Sequence, residues 1–94
     1  MNLHDRFEQF DGEYLKFDRI ENPRSKRPDL HAFLLLDEIQ PGDRDLISAS
    51  EHDEFYLNID CDAFAAVATD EQIRDLNRCG VRYDGDLDSL CMFA

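Results

Sequence analysis

Between Glu54 and Asp60 the chain alternates. Phe55, Leu57 and Ile59 fall on one side, and Glu54, Tyr56, Asn58 and Asp60 on the other. A period of two predicts a half-buried strand. The pattern then changes. Asp60 or Asp62 is placed to cap a short Ala-rich helical turn, Ala63–Ala68. Thr69-Asp70-Glu71-Gln72 follows as a capping box, in which Thr69 reaches the third amide and Gln72 reaches back. Ile73, Leu76 and Cys79 supply the buried stripe of that helix, with Asp70 and Glu71 at its positive end and Arg74 and Arg78 toward its negative end. Gly80 suits the left-handed stop, and Val81 the apolar position after it. Val81–Tyr83 and Leu90–Phe93 predict the two strands of a hairpin. A two-residue Asp84-Gly85 turn would set Tyr83 against Asp86 and Val81 against Asp88. A loop over 84–87 pairs Val81 with Leu90, and one over 84–89 pairs Tyr83 with Leu90, so a longer, acidic loop is expected.

Upstream, Leu3, Phe7 and Phe10 lie on one face of a short helix that Asn2 can cap and Asp11-Gly12 can end. Glu13–Glu21 alternates loosely, with Leu15 and Phe17 one way and Tyr14, Lys16 and Asp18 the other, which predicts a strand. Residues 22–28, Asn-Pro-Arg-Ser-Lys-Arg-Pro, form a basic loop bounded by prolines. Pro28 opens a helix, and Asp29 suits its first turn. Leu30, Phe33, Leu34, Leu36 and Ile39 make that helix apolar on most of its circumference until Pro41-Gly42 stops it. Such a helix is buried in the core or packs against a partner subunit. His31, near its start, reads as hydrogen-bonded structure rather than a ligand. Leu46–Ser50 predicts one more short strand. Together these elements predict a single α+β domain over residues 1–94. Its mainly antiparallel sheet has about three to five strands, with about two or three helices packed on one face.

Charge changes this picture more than composition does. Residues 1–28 hold six acids and six bases, so the net charge of −12 rests entirely on residues 29–94, where Arg44, Arg74, Arg78 and Arg82 are the only bases. Such a domain repels nucleic acid and anionic membrane and attracts basic surfaces. The basic loop 22–28 works against that field, so salt bridging to the acidic remainder is its expected role. The longest apolar run, Ala32–Leu36, falls far short of the roughly 18 residues that a membrane span needs. Residues 1–6 show no secretory pattern. Cys61, Cys79 and Cys91 are odd in number and lack CxxC spacing, which points to reduced, buried thiols and a cytoplasmic setting.

Chemistry-bearing strings are few. Glu51-His52-Asp53-Glu54 offers carboxylates around a histidine, but neighbours on a strand point to opposite faces, so the four do not converge on one ion or proton. His4 and His31 add no HxH or HxxxH pair. Asp84, Asp86 and Asp88 imitate the opening of a calcium loop, but Ser89 stands where its glycine belongs and the chain ends before its last ligand. No phosphate-binding glycine loop and no GxSxG elbow occurs. Neither a catalytic residue, a metal ligand nor a cofactor is assigned.

The segments Arg27-Pro28-Asp29-Leu30-His31-Ala32-Phe33, Glu51–Glu54, Arg78-Cys79-Gly80-Val81-Arg82-Tyr83 and Asp88-Ser89-Leu90-Cys91-Met92-Phe93 resemble small acidic proteins of phages and prophages. The resemblance covers most of residues 14–93. It implies a setting in which such proteins include inhibitors that imitate nucleic acid, and it transfers no functional residue.

Three functions come into view on these grounds. The first is a non-enzymatic binding protein whose carboxylates replace phosphates before a basic protein surface. Carboxylates at i and i+2 of an extended segment stand roughly 7 Å apart on one side. Asp60 with Asp62, and Asp84 with Asp86 and Asp88, therefore supply a phosphate-like row that Glu51, Asp53 and Glu54 extend. The second is a structural or assembly protein, a homodimer built on the Leu30–Ile39 helix or the terminal strand. The third, a small hydrolase or metal enzyme centred on His52, lacks a nucleophile elbow and a ligand pair. The sequence favours the first.

Overall fold

The computed structural model describes residues 2–93, so the two ends of the expected 1–94 domain lie outside it. Among the described residues, four α-helices and four strands follow one another in pairs: α1 (Leu3–Glu8), α2 (Pro28–Ile39), β1 (Ile47–Glu51), β2 (Glu54–Leu57), α3 (Cys61–Val67), α4 (Asp70–Arg78), β3 (Arg82–Asp84) and β4 (Ser89–Phe93). The strands form one antiparallel sheet in the order β1-β2-β4-β3. The α+β architecture is thus as the sequence predicts. The helices exceed the expected count because the Ala-rich turn expected at Ala63–Ala68 closes as a full α-helix, Cys61–Val67.

Local capping explains most boundaries. Asn2 accepts the Asp5 amide at 2.8 Å and starts α1. Asp60, not Asp62, caps α3, accepting the amides of Asp62 and Ala63. Thr69 accepts the Gln72 amide at 3.1 Å while Gln72 accepts the Thr69 amide at 2.8 Å, so the capping box opens α4. Gly80, at φ 97°, closes it: its amide donates to the Asn77 carbonyl, and the Val81 amide donates to the Leu76 carbonyl. The β3–β4 register pairs Tyr83 with Leu90, the longer-loop arrangement.

Cross-strand pairing sorts the sheet into two faces. Leu57, Leu90 and Met92 are buried in the core, and Phe55 and Tyr83 pack against it. The helices lie on this side. Phe64, Leu36, Ile73 and Leu76 are its fully buried centre. Phe7 stacks on Phe64 at 6.4 Å, and Phe33 of α2 meets Phe55 of β2 at 5.9 Å. The buried Asn77 donates to the Phe7 carbonyl at 2.9 Å, which ties α1 to α4. The opposite face carries Ala49 and Glu51, Glu54 and Tyr56, Arg82 and Asp84, and Cys91 and Phe93.

Three expectations need correction. Glu13–Glu21 is not a strand; two 3-10 turns, Asp11–Glu13 and Phe17–Arg19, occupy the region. Leu15 between them takes φ 62° and donates its amide to the Asn77 carbonyl, and its side chain is 63% exposed. That left-handed residue breaks any extended run. Next, β2 stops at Leu57: the Asn58 amide still donates to the Leu46 carbonyl and its side chain bonds the Asp45 carbonyl, but Asp60 turns away to cap α3. Last, α2 buries His31, Ala32, Leu35 and Leu36, while Leu30 and Leu34 remain 43% and 39% exposed. His31 is structural as expected: its Nδ1 accepts the Arg24 amide at 3.1 Å, and its ring meets Phe17 edge-on.

Candidate functional site

The eight carboxylates singled out by sequence fall at the two ends of the sheet. Glu51 and Glu54 stand opposite each other at the end of the β1–β2 hairpin, and His52 and Asp53 form its two-residue turn, both in left-handed conformation at φ 52° and 62°. Two left-handed residues in sequence make the primed turn that fits the twist of a hairpin. At the other end, Asp84 accepts the amides of Asp86 and Leu87 and so shapes the β3–β4 loop. Asp88, at φ 49°, accepts the Tyr83 hydroxyl at 2.6 Å. That bond, ahead of burial, raises the Tyr83 phenol to about 12. The loop meets the start of α3, where the Cys61 thiol donates to the Asp88 carbonyl at 3.4 Å.

Asp60, Asp62 and Asp88 therefore gather around Cys61. Burial first, and then these carboxylates, push its thiol up to about 11. Burial likewise raises Cys79 to about 12 and Cys91 above its usual range. All three cysteines are free and buried, and at neutral pH they are thiols rather than nucleophilic thiolates.

A second gathering lies on the open sheet face. The Tyr56 phenol is raised by burial first, then by Glu54, Glu51 and Asp84 in turn. Tyr56 floors a groove of about 420 Å³ whose walls include Ser48, Ala49, Glu51, Asp88 and Ser89. Glu51 and Asp88, from opposite ends of the sheet, thus line one concavity. Asp53, Asp62 and Asp86 are exposed outside it. The sequence placed these groups in separate segments; the strand order that joins them was not legible from any one of them.

Neutralisation is uneven. Of the eight, only Glu54 has an ion-pair partner among the described residues: Arg82, whose guanidinium also lies 4.1 Å over the Phe93 ring. The other arginine pairs lie toward the helices: Arg6 with Asp70, Arg19 and Arg78 with Glu13, Arg74 and Arg78 with Asp75, and Arg24 of the basic loop with Glu38 of α2. Arg44 is the sole Lys or Arg between Asp43 and Asp62. It bonds the carbonyls of Asn58 and Gln40 and the Gln40 side chain instead of an acid.

Two further features lay outside the sequence reading. A cleft of about 440 Å³ opens beside the contact of α1 with β3, lined by His4, Glu8, Asp11, Tyr14, Arg82 and Phe93 among others. His4, Asp5 and Glu8 bring one ligand atom each within 4.8 Å of one another. The i, i+1, i+4 spacing was the available signal. All three are exposed and His4 already contacts Glu8 at 3.2 Å, so the group reads as a surface helix pair.

No family model, no curated protein and no solved structure matches the chain. Among the described residues, no helix is long and apolar enough to cross a membrane.

Proposed function

We propose that the chain is a non-enzymatic acidic binding protein. In this reading its sheet-side carboxylates stand in for phosphates and occupy the basic surface of a nucleic-acid-binding protein. A phage-encoded inhibitor acting in the cytoplasm accords with the sequence resemblance and the reduced cysteines. One observation carries the reading. Arginine partners concentrate on the helical side, while Glu51, Asp53, Asp60, Asp62, Asp84, Asp86 and Asp88 face solvent or cap turns without a base. An uncompensated surface of one sign steers and holds a partner of the other.

The test is retention of a host protein on the immobilised chain. The expected captive is basic, is displaced by duplex DNA, and elutes as salt shortens the screening length from about 10 Å to about 3 Å. Retention indifferent to salt would overturn the proposal.

A homodimeric assembly protein is the second reading, favoured by the exposed Leu30 and Leu34 one turn apart on α2. It is the weaker of the two, because Ala32, Leu35 and Leu36 of the same helix are already buried in the chain's own core. A strict monomer by light scattering at high concentration removes it.

A further inference from the structure

Two strands end the sheet, and they differ. α1 packs against β3, whereas among the described residues the only element in substantial contact with β1 is its hairpin partner β2. All five residues of β1 are exposed, including Ile47 at 48%. Its middle, Ser48-Ala49-Ser50, carries neither charge nor proline, the usual guards of an open edge. A register shift between Ile47 and Ala49 disturbs its first half and leaves Ala49–Glu51 regular.

We propose that an extended basic segment of the partner protein adds to β1 as a fifth strand. The proposal rests on the reading of this chain as the acceptor of a basic partner, and it names the mode of contact. The two-residue turn makes Glu51 and Glu54 the closing hydrogen-bonded pair, so Ser50, opposite Phe55, turns its N–H and C=O outward. Those groups are the docking points for another backbone.

Charge selects the occupant. Ala49 and Glu51 share the open face with Glu54 and Tyr56. Alternate side chains of an added strand stand beside Ala49 and Glu51. A Lys or Arg beside Glu51 meets a carboxylate that no arginine has taken. One beside Ala49 passes over a methyl group toward the groove that Tyr56, Glu51 and Asp88 line. The recognised pattern is therefore basic, any residue, basic, in extended conformation. A second copy fits poorly, because edge-to-edge pairing brings together two chains of net charge −12.

The test uses the whole chain and two blocked peptides of alternating Lys and Val. One is unmodified; the other carries N-methyl groups on the alternate amides that would face β1. Calorimetry gives affinity, and amide NMR gives the contact. The unmodified peptide is expected to bind with shifts at Ser48–Glu51 and Tyr56, and N-methylation to weaken it about tenfold. Ser50→Pro, tolerated where an edge amide points outward, is expected to abolish binding with the circular dichroism spectrum retained. Glu51→Gln is expected to weaken it. Equal binding of both peptides would overturn strand addition and leave the acidic reading intact. Failure of both peptides at low salt would overturn both. A β1-paired dimer that the peptide does not displace would assign the edge to a second copy and overturn the proposal.

Discussion

On the helical side, Arg6, Arg19 and Arg78 each lie against a carboxylate, and Arg6 and Arg78 also donate to backbone carbonyls. On the sheet side, Arg82 alone pairs with an acid, Glu54, and the remaining acids of the hairpin ends have no ion-pair partner among the described residues. Both regions belong to one small domain in the same solvent. The difference lies in what the arginines do. The helical side uses opposite charges to fasten segments distant in sequence, while at the hairpin end Arg82 pairs with Glu54 and leaves the facing Glu51 without a base. Unrelieved repulsion lowers stability somewhat and is relieved when a cationic surface arrives.

That contrast can be broken or sharpened by measurement, beginning with the largest effect. Phe64→Ala, at the fully buried junction of α1 and α3, should cost about 3–5 kcal/mol in urea unfolding. A comparable loss from any single sheet-side acid would erase the distinction. Gly80→Ala comes next. A Cβ there meets the Leu15 side chain at 3.0 Å on a backbone at φ 97°, so about 1–2 kcal/mol should be lost. Thr69→Ala removes one arm of the capping box and should cost about 1 kcal/mol by the same assay.

The pH dependence is a smaller, separable effect. Burial holds the His31 imidazole below its usual 6.5, against an opposing pull from Asp75. The unfolded chain therefore takes up that proton first as pH falls. Stability from His31 is complete above about 6.5 and declines below it. Thermal melts of the parent and His31→Asn should show a slope in this window that the variant lacks. Glu13, lowered by its bonds to Arg78 and Arg19, acts in the same direction but only from about 4.5 downward. The smallest change belongs to the sheet side. Glu51→Gln, Asp53→Asn and Asp86→Asn together should shift stability by no more than about 0.5 kcal/mol while weakening capture of the proposed basic partner. If these substitutions destabilise the fold instead, the acids serve structure rather than recognition.

The features legible in sequence share a short range. The capping box, the Asn2 cap and the Gly80 stop each complete their bonds within a few residues, so the string contains both partners. The β3–β4 register was legible because a tight turn would have set apolar side chains against aspartates. What misled was longer in reach. The alternation at residues 14–18 looks like a strand, but Leu15 is fixed by a carbonyl of α4. The turn at His52-Asp53 lacks the usual glycine, since here two ordinary residues adopt left-handed backbone. The groove uniting Glu51 with Asp88 depends on β4 inserting between β2 and β3, which no local pattern announces.

The packing of α1 against β3 has a consequence for growth. A fibril needs two adhesive flanks on every copy, one to receive and one to extend. Among the described residues only β1 lacks a covering element, so the sheet offers no second bare flank from which stacking could continue. The safeguard hangs on Asn77 and Arg6, which fasten α1 through the carbonyls of Phe7, Ala65 and Ala68. Loosening that helix would turn a terminating unit into a propagating one.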